Sequence, residues 1–136
     1  VFALDEALKM MREEGLDNIF LRHNKHKLAM SNAVKALNLK LFADEKYLSP
    51  SITAIKTEEI DAEEFRKTIK NNFDILLAGG QDHLKGKIFR VGHLGYVNDR
   101  DIISVVSAIS NTLLSLGKIS AQQAGEALIV ASKYLK

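Results

Sequence analysis

The sequence predicts an α+β domain: a small mixed or antiparallel sheet of about four strands, covered by helices, with a long bent helix pair at its N-terminal end. Three observations predict it. Helical periodicity of the apolar residues stands at both ends of the chain, short alternating segments come in pairs in the middle, and one capped helix separates the pairs. The order is therefore helix, helix, strand, strand, helix, strand, strand, helix, helix.

Each element has its own reason. From Val1 to Glu14, Phe2, Leu4, Ala7, Leu8 and Met11 recur at helical spacing, and Gly15 stops the run. A second helix spans about Asp17 to Leu37, with Asp17 as N-cap and a stripe of Phe20, His23, Lys27, Met30, Val34 and Leu37, with Ile19 alongside. A single glycine between two helices predicts a bent pair. Leu39–Phe42 and Ile52–Lys56 alternate and read as strands, joined by a polar connection that holds the only proline, Pro50.

Asp61-Ala62-Glu63-Glu64 opens a helix as a capping box, buries Phe65 and Ile69, and ends at Asn71-Asn72. Asp74–Ala78 and Lys87–Val91 read as the third and fourth strands. Asn98 with Asp101 caps a helix striped by Ile102, Val105, Val106, Ile109 and Leu113 and closed by Gly117. Ser120 with Gln123 repeats the box, and the last helix carries Ala124, Leu128, Ala131 and Leu135. No repeat, low-complexity tract or interdomain linker interrupts the order.

Composition bounds the function. At 136 residues the chain is one domain in size, and 46% apolar with 26% charged residues is ordinary for a globular protein. Nineteen basic against 17 acidic residues give a net charge of +2, scattered along the chain, which argues against nucleic acid or an anionic membrane as partner. The absence of cysteine removes disulfides, thiol catalysis and thiolate metal ligands, and fits a cytoplasmic setting. No apolar run is long enough to cross a bilayer. The chain opens at Val1, already in helical sequence by Phe2, and so reads as a cut end.

The stretch from Gly79 to Tyr96 carries the candidate chemistry. Gly79-Gly80 and Gly92 bracket a strand that holds Arg90 inside an apolar run. Glycines admit unusual backbone conformations and close approach, and a planar guanidinium grips a carboxylate or phosphate with two hydrogen bonds. From spacing alone the commoner alternative, pairing with a surface carboxylate, stays open. His23 and His26, three apart on a helix, could present two metal ligands, but no acid lies in the same turn, so a partly buried His23 with one satisfied nitrogen is expected. His83 and His93 flank the glycine-rich hairpin and are expected on loop surface, although a meeting for proton shuttling is conceivable. Asp99, Arg100 and Asp101 serve capping and local pairing. A phosphate-binding G-x-x-x-x-G-K-[ST] loop is absent, since Ile88 follows Lys87, and there is no G-x-S-x-G elbow. No catalytic, cofactor-binding or metal-binding residue is assigned.

Three segments together, GLDNIFLRHNKHKLAMSNAVKALNLKLF, SITAIKT and DILLAGGQDHLKGKIFRVGHLGYVNDRDI, resemble the C-terminal domain of class V pyridoxal-phosphate aminotransferases. The resemblance is to the serine–pyruvate/alanine–glyoxylate group, which includes proteins called the small subunit of soluble hydrogenase. Its most specific part is Gly79-Gly80 followed by Gly86 to Gly95. The resemblance implies a fold type I enzyme, normally a homodimer, with 1–38 as connecting helices, 39–117 as the α+β core and 118–136 as the C-terminal helix. It implies that Arg90 binds the substrate α-carboxylate, while Gly79, Gly80 and Gly92 shape the wall around it. The Schiff-base lysine, the pyridine-nitrogen aspartate and the phosphate cradle of the family belong to a missing N-terminal cofactor-binding domain. The chain alone is therefore expected to bind no pyridoxal phosphate and to be inactive. The alternative is a free-standing α+β module that binds a small ligand or dimerises.

Overall fold

A computed structural model describes residues 1–136. Its elements are α1 (Phe2–Glu14), α2 (Leu16–Ala36), β1 (Lys40–Leu41), β2 (Ile52–Lys56), α3 (Ala62–Phe73), β3 (Ala78–Gly79), β4 (Ile88–Gly92), α4 (Asp99–Ser115) and α5 (Ala121–Tyr134). The order is the one the sequence predicts. The four strands form one antiparallel sheet in the order β1-β2-β4-β3, so β4 lies inside it with β2 on one side and β3 on the other. No helix is long and apolar enough to cross a membrane.

The helices cover one face of the sheet. Ile55, Phe89 and Val91 point into that layer, where they meet Met30, Val34 and Leu37 of α2, Phe65 and Ile69 of α3, and Ile102, Val106, Ile109 and Leu113 of α4. Phe65 and Phe89 stack obliquely with ring centroids 5.2 Å apart. A fully buried side chain of this size contributes about 2–3 kcal/mol. Between α2 and α5 the buried side chains are small, Ala29 and Ala33 on one helix and Ala127 and Ala131 on the other, which lets the two backbones approach closely.

Segment 1–38 is not uniform in its packing. Helix α2 contributes to the main core, whereas α1 buries no side chain, and Phe2, Leu4, Leu8 and Met11 are exposed. Asp17 does not cap α2; Gly15 occupies that position with φ +83, and its carbonyl accepts from the Ile19 amide. Phe20 is 65% exposed, so the buried stripe of α2 begins at His23 and runs through His26, Met30 and Val34. The capping boxes at Asn98/Asp101 and Ser120/Gln123 are both formed. At Asp61 only half of the box forms, its carboxylate accepting from the Glu63 and Glu64 amides.

Two strands are shorter than their patterns. Helix α3 runs past the asparagine pair to Phe73 and is stopped by Asp74 in the left-handed conformation at φ 54. The chain then reaches the sheet only at Ala78, because the Leu77 carbonyl is taken by Arg66 Nε at 2.8 Å instead of by a neighbouring strand. Strand β1 is reduced to Lys40–Leu41 behind the left-handed Asn38.

Glycine is required at position 80 for space. A Cβ there would lie 2.1 Å from the Leu84 carbonyl oxygen, which is backbone and cannot swing away. Gly80→Ala is therefore expected to lose about 2 kcal/mol or more in chemical denaturation. Gly92→Ala, where a Cβ meets nothing within 4 Å, should stay within about 0.5 kcal/mol of the parent.

Candidate functional site

Strand alternation decides where Arg90 goes. Phe89 and Val91 are buried against the helices, so Arg90 between them faces the opposite side of the sheet, which carries no helix layer. Its cross-strand partners are Ala54 on β2 and Ala78 on β3. Two alanines leave the guanidinium without bulk on either flank. The side chain is half-buried, and its Nε donates to the Gly79 carbonyl at 3.0 Å. No carboxylate lies within ion-pairing distance of it. Both terminal nitrogens are thus left without a partner in the chain, aligned as a fork whose plane is fixed from behind by the Nε bond.

The glycines around Arg90 differ in what they do. At Gly79 a Cβ would collide with the Arg66–Glu63 ion pair, 2.5 Å from Arg66 Nη1 and 2.6 Å from Glu63 Oε1. The absent side chain lets that pair lie against the strand and seat the carbonyl that orients Arg90. Gly80 donates its N–H to the Ile88 carbonyl and closes the hairpin under the Leu84 turn. Gly92 ends β4 on the same face as Arg90, with open space where a side chain would be. Among the glycines of this stretch only Gly86 and Gly95 have positive φ, and Asp82 shares that conformation at φ 47.

Two histidines, His93 and His23, depart from expectation. His83 is exposed in the hairpin turn, but His93 is fully buried, and the two share no hydrogen bond. The reason is that both ring nitrogens of His93 are satisfied inside: Nδ1 donates to the Pro50 carbonyl at 3.0 Å, and Nε2 accepts from the Thr53 hydroxyl at 2.9 Å. His23 and His26 face different partners and form no metal set with a third ligand. His23 has both nitrogens engaged, with Nδ1 2.7 Å from the Ile19 carbonyl and Nε2 3.3 Å from the Gly95 amide. Burial pushes His26 below the ordinary histidine value against the opposing pull of Asp99, so the neutral ring donates from Nε2 to Asp99 at 2.9 Å. Its Nδ1 is then a buried acceptor with no partner. Burial pulls the Asp99 carboxyl upward, and hydrogen bonds from Lys25 and His26 outweigh it, leaving the group below its usual range.

One set of contacts had no signature in sequence. Arg22 Nη1 donates to the carbonyls of Gly95 and Val97, both at 2.9 Å, while Nε and Nη2 grip Glu14 at 2.6 and 2.8 Å. The loop that follows β4 is thereby tied to α2 and to the end of α1. The partners are more than seventy residues apart in the chain, and only the fold joins them.

No protein-family model matches the chain. Individual proteins do. The chain is 54% identical over 116 residues to the soluble hydrogenase small subunit of Synechococcus sp. (strain PCC 6716), a match that covers 85% of this chain and 30% of that protein. It is 32% identical over 138 residues to the serine–glyoxylate aminotransferase of Arabidopsis thaliana, covering all of this chain and 34% of that one. The crystal structure of the ureidoglycine–glyoxylate aminotransferase of Bacillus subtilis superposes with a TM-score of 0.88 at 31% identity, over 97% of this chain and 35% of that one. The chain spans about a third of the length of the curated relatives it matches.

His93 supplies a measurable pH dependence. Burial lowers its pKa from 6.5 to about 4, against the hydrogen bond to Pro50. Below pH 6.5 the unfolded chain takes up a proton that the folded chain refuses until about pH 4. Stability is therefore intact above 6.5 and falls through that window, by roughly 3 kcal/mol from this ring. The His93 ring should titrate near pH 4 when followed by NMR. A midpoint near 6.5 would show that the ring is reached by water.

Proposed function

We propose that the chain is the C-terminal domain of a pyridoxal-phosphate-dependent aminotransferase of class V, a reading supported by its likeness to aminotransferases in sequence and in fold. The enzyme exchanges an amino group between small amino acids such as alanine, serine or aspartate and 2-oxo acids such as glyoxylate or pyruvate. Arg90 is the substrate-binding residue, and Gly79, Gly80 and Gly92 shape the wall beside it.

The observation that carries this reading is the guanidinium fork itself: half-buried, oriented by Gly79, flanked by Ala54 and Ala78, and paired with no acid of its own chain. An amino acid and the 2-oxo acid derived from it share one α-carboxylate. A single fixed fork can therefore hold both partners of the exchange with two charge-assisted hydrogen bonds. Because Nε is occupied, the carboxylate is received end-on by Nη1 and Nη2, which sets the direction in which its α-carbon points. That orientation lowers the entropy cost of reaction.

The residues of this chain do not fit the cofactor by themselves. A lysine that forms a covalent bond to an aldehyde needs an enclosed setting, and every lysine here is exposed or at most half-buried, Lys85 and Lys87 on the hairpin included. We assign the covalent lysine and the phosphate cradle to an N-terminal cofactor-binding domain of a longer, homodimeric, cytoplasmic polypeptide. The exposed apolar side chains of α1 are assigned to contact with that remainder.

In the complete polypeptide, Arg90→Lys is expected to raise KM for the carboxylate substrate by about 10- to 100-fold, since a point charge replaces a fork. Unchanged kinetics would remove Arg90 from the site. For the 136-residue chain alone, borohydride reduction in the presence of pyridoxal phosphate should yield no stoichiometric adduct by mass. An adduct at one lysine, with amino transfer, would relocate the chemistry into this chain.

A further inference from the structure

The loop that leaves β4 is held from outside by two consecutive residues of α2. Arg22 donates to the Gly95 carbonyl, and His23 Nε2 receives the Gly95 N–H, so both backbone polar groups of one residue are engaged from one helix turn. The His23 tautomer is fixed by its other nitrogen. The Ile19 carbonyl can only accept, so Nδ1 carries the proton and Nε2 keeps its lone pair for Gly95. Gly95 itself sits at φ +84, where an L side chain is strained.

The clamp has a second end. Both oxygens of Glu14 accept from Arg22, and that hydrogen bonding holds the Glu14 carboxyl below its usual range. Glu14 is the last residue of α1, and Gly15, at φ +83, is the joint between α1 and α2. Because α1 buries no side chain of its own, this ion pair is a principal tether between its end and the body of the domain. On the loop side, His93 is plugged into the core two residues after Val91, and Leu94 and Tyr96 project outward at 70% and 83% exposure. A loop with so little buried apolar surface has little reason of its own to hold one shape.

We propose that Arg22 and His23 are positioning residues for the Arg90 site: by clamping Gly95 they hold the 92–97 loop in register with β4, and through Glu14 they tie that loop to the direction of α1. The proposal rests on the carboxylate-binding reading of Arg90. It makes the angle of α1 and the order of the loop two ends of one linkage, so that movement of the rest of the enzyme against α1 is felt beside the substrate carboxylate.

The test uses the complete polypeptide. In His23→Leu the acceptor is lost, and in His23→Gln an amide oxygen can replace it. Hydrogen exchange of the peptide covering 93–97 should quicken about tenfold in the leucine variant and return toward the parent rate in the glutamine variant. KM for the carboxylate substrate should rise about fivefold in His23→Leu, with kcat lowered less than about twofold, and recover in His23→Gln. Arg22→Gln should move both quantities in the same direction. If it fails to fold, the histidine pair decides alone. Faster exchange with unchanged KM would reduce the clamp to a structural tie and overturn the proposal while leaving Arg90 in place. Unchanged exchange would overturn the clamp itself. Failure of the carboxylate reading shows separately, as unaltered KM in Arg90→Lys.

Discussion

The rotation of strand β4 is the constraint on which the rest of this domain depends. Phe89 and Val91 are both inserted into the helical layer. With side chains alternating along a strand, those two burials leave Arg90 no choice of face. A slip of one residue would drive a guanidinium into the core and two large apolar groups into water, a cost of several kcal/mol from the apolar terms alone. The position of the candidate site is thus enforced by packing on the other side of the sheet. The central place of β4, hydrogen-bonded on both edges, removes the remaining freedom.

Direction along the face is set by backbone rather than by side chains. The Gly79 carbonyl holds Arg90 Nε, and Gly79 is itself held because the Arg66–Glu63 pair occupies the volume its side chain would have taken. Arg66 also satisfies the Leu77 carbonyl just before the strand begins. One arginine on α3 therefore organises the short third strand from the helix side, and a second arginine on β4 reads that strand's carbonyl from the open side. The histidines extend the same logic to the far end of β4, where His93 anchors the loop inward and His23 holds it laterally.

Much of this was legible in the chain. The order of elements, the alternation of Ile52–Lys56, two capping boxes and the presence of Arg90 in an apolar strand could all be read, because they depend on local periodicity and on caps within four residues. What could not be read depends on partners remote in sequence. The third strand looked longer because Asp74 to Ala78 reads as strand, yet Arg66 takes the Leu77 carbonyl that a ladder would have used. His93 looked like loop surface because nothing nearby announces that Thr53 and Pro50 will close around it. Phe20 fits a helical stripe but lies on a side of α2 that no element of this chain covers. The Arg22–Gly95 contact had no signal at all.

The sheet also settles why Arg90 stays unpaired among 17 acidic residues. Glu63, an acid on the adjoining helix, reaches Gly79 from the helical face and is already committed to Arg66. The sheet itself therefore separates that carboxylate from the guanidinium beyond it. A charged group left half-buried without a counter-ion carries a desolvation cost that nothing in the chain offsets. Alanine stands at both cross-strand positions, 54 and 78. Alanines at those two positions leave the terminal nitrogens of Arg90 without a partner in the chain, which is what the proposed carboxylate site requires.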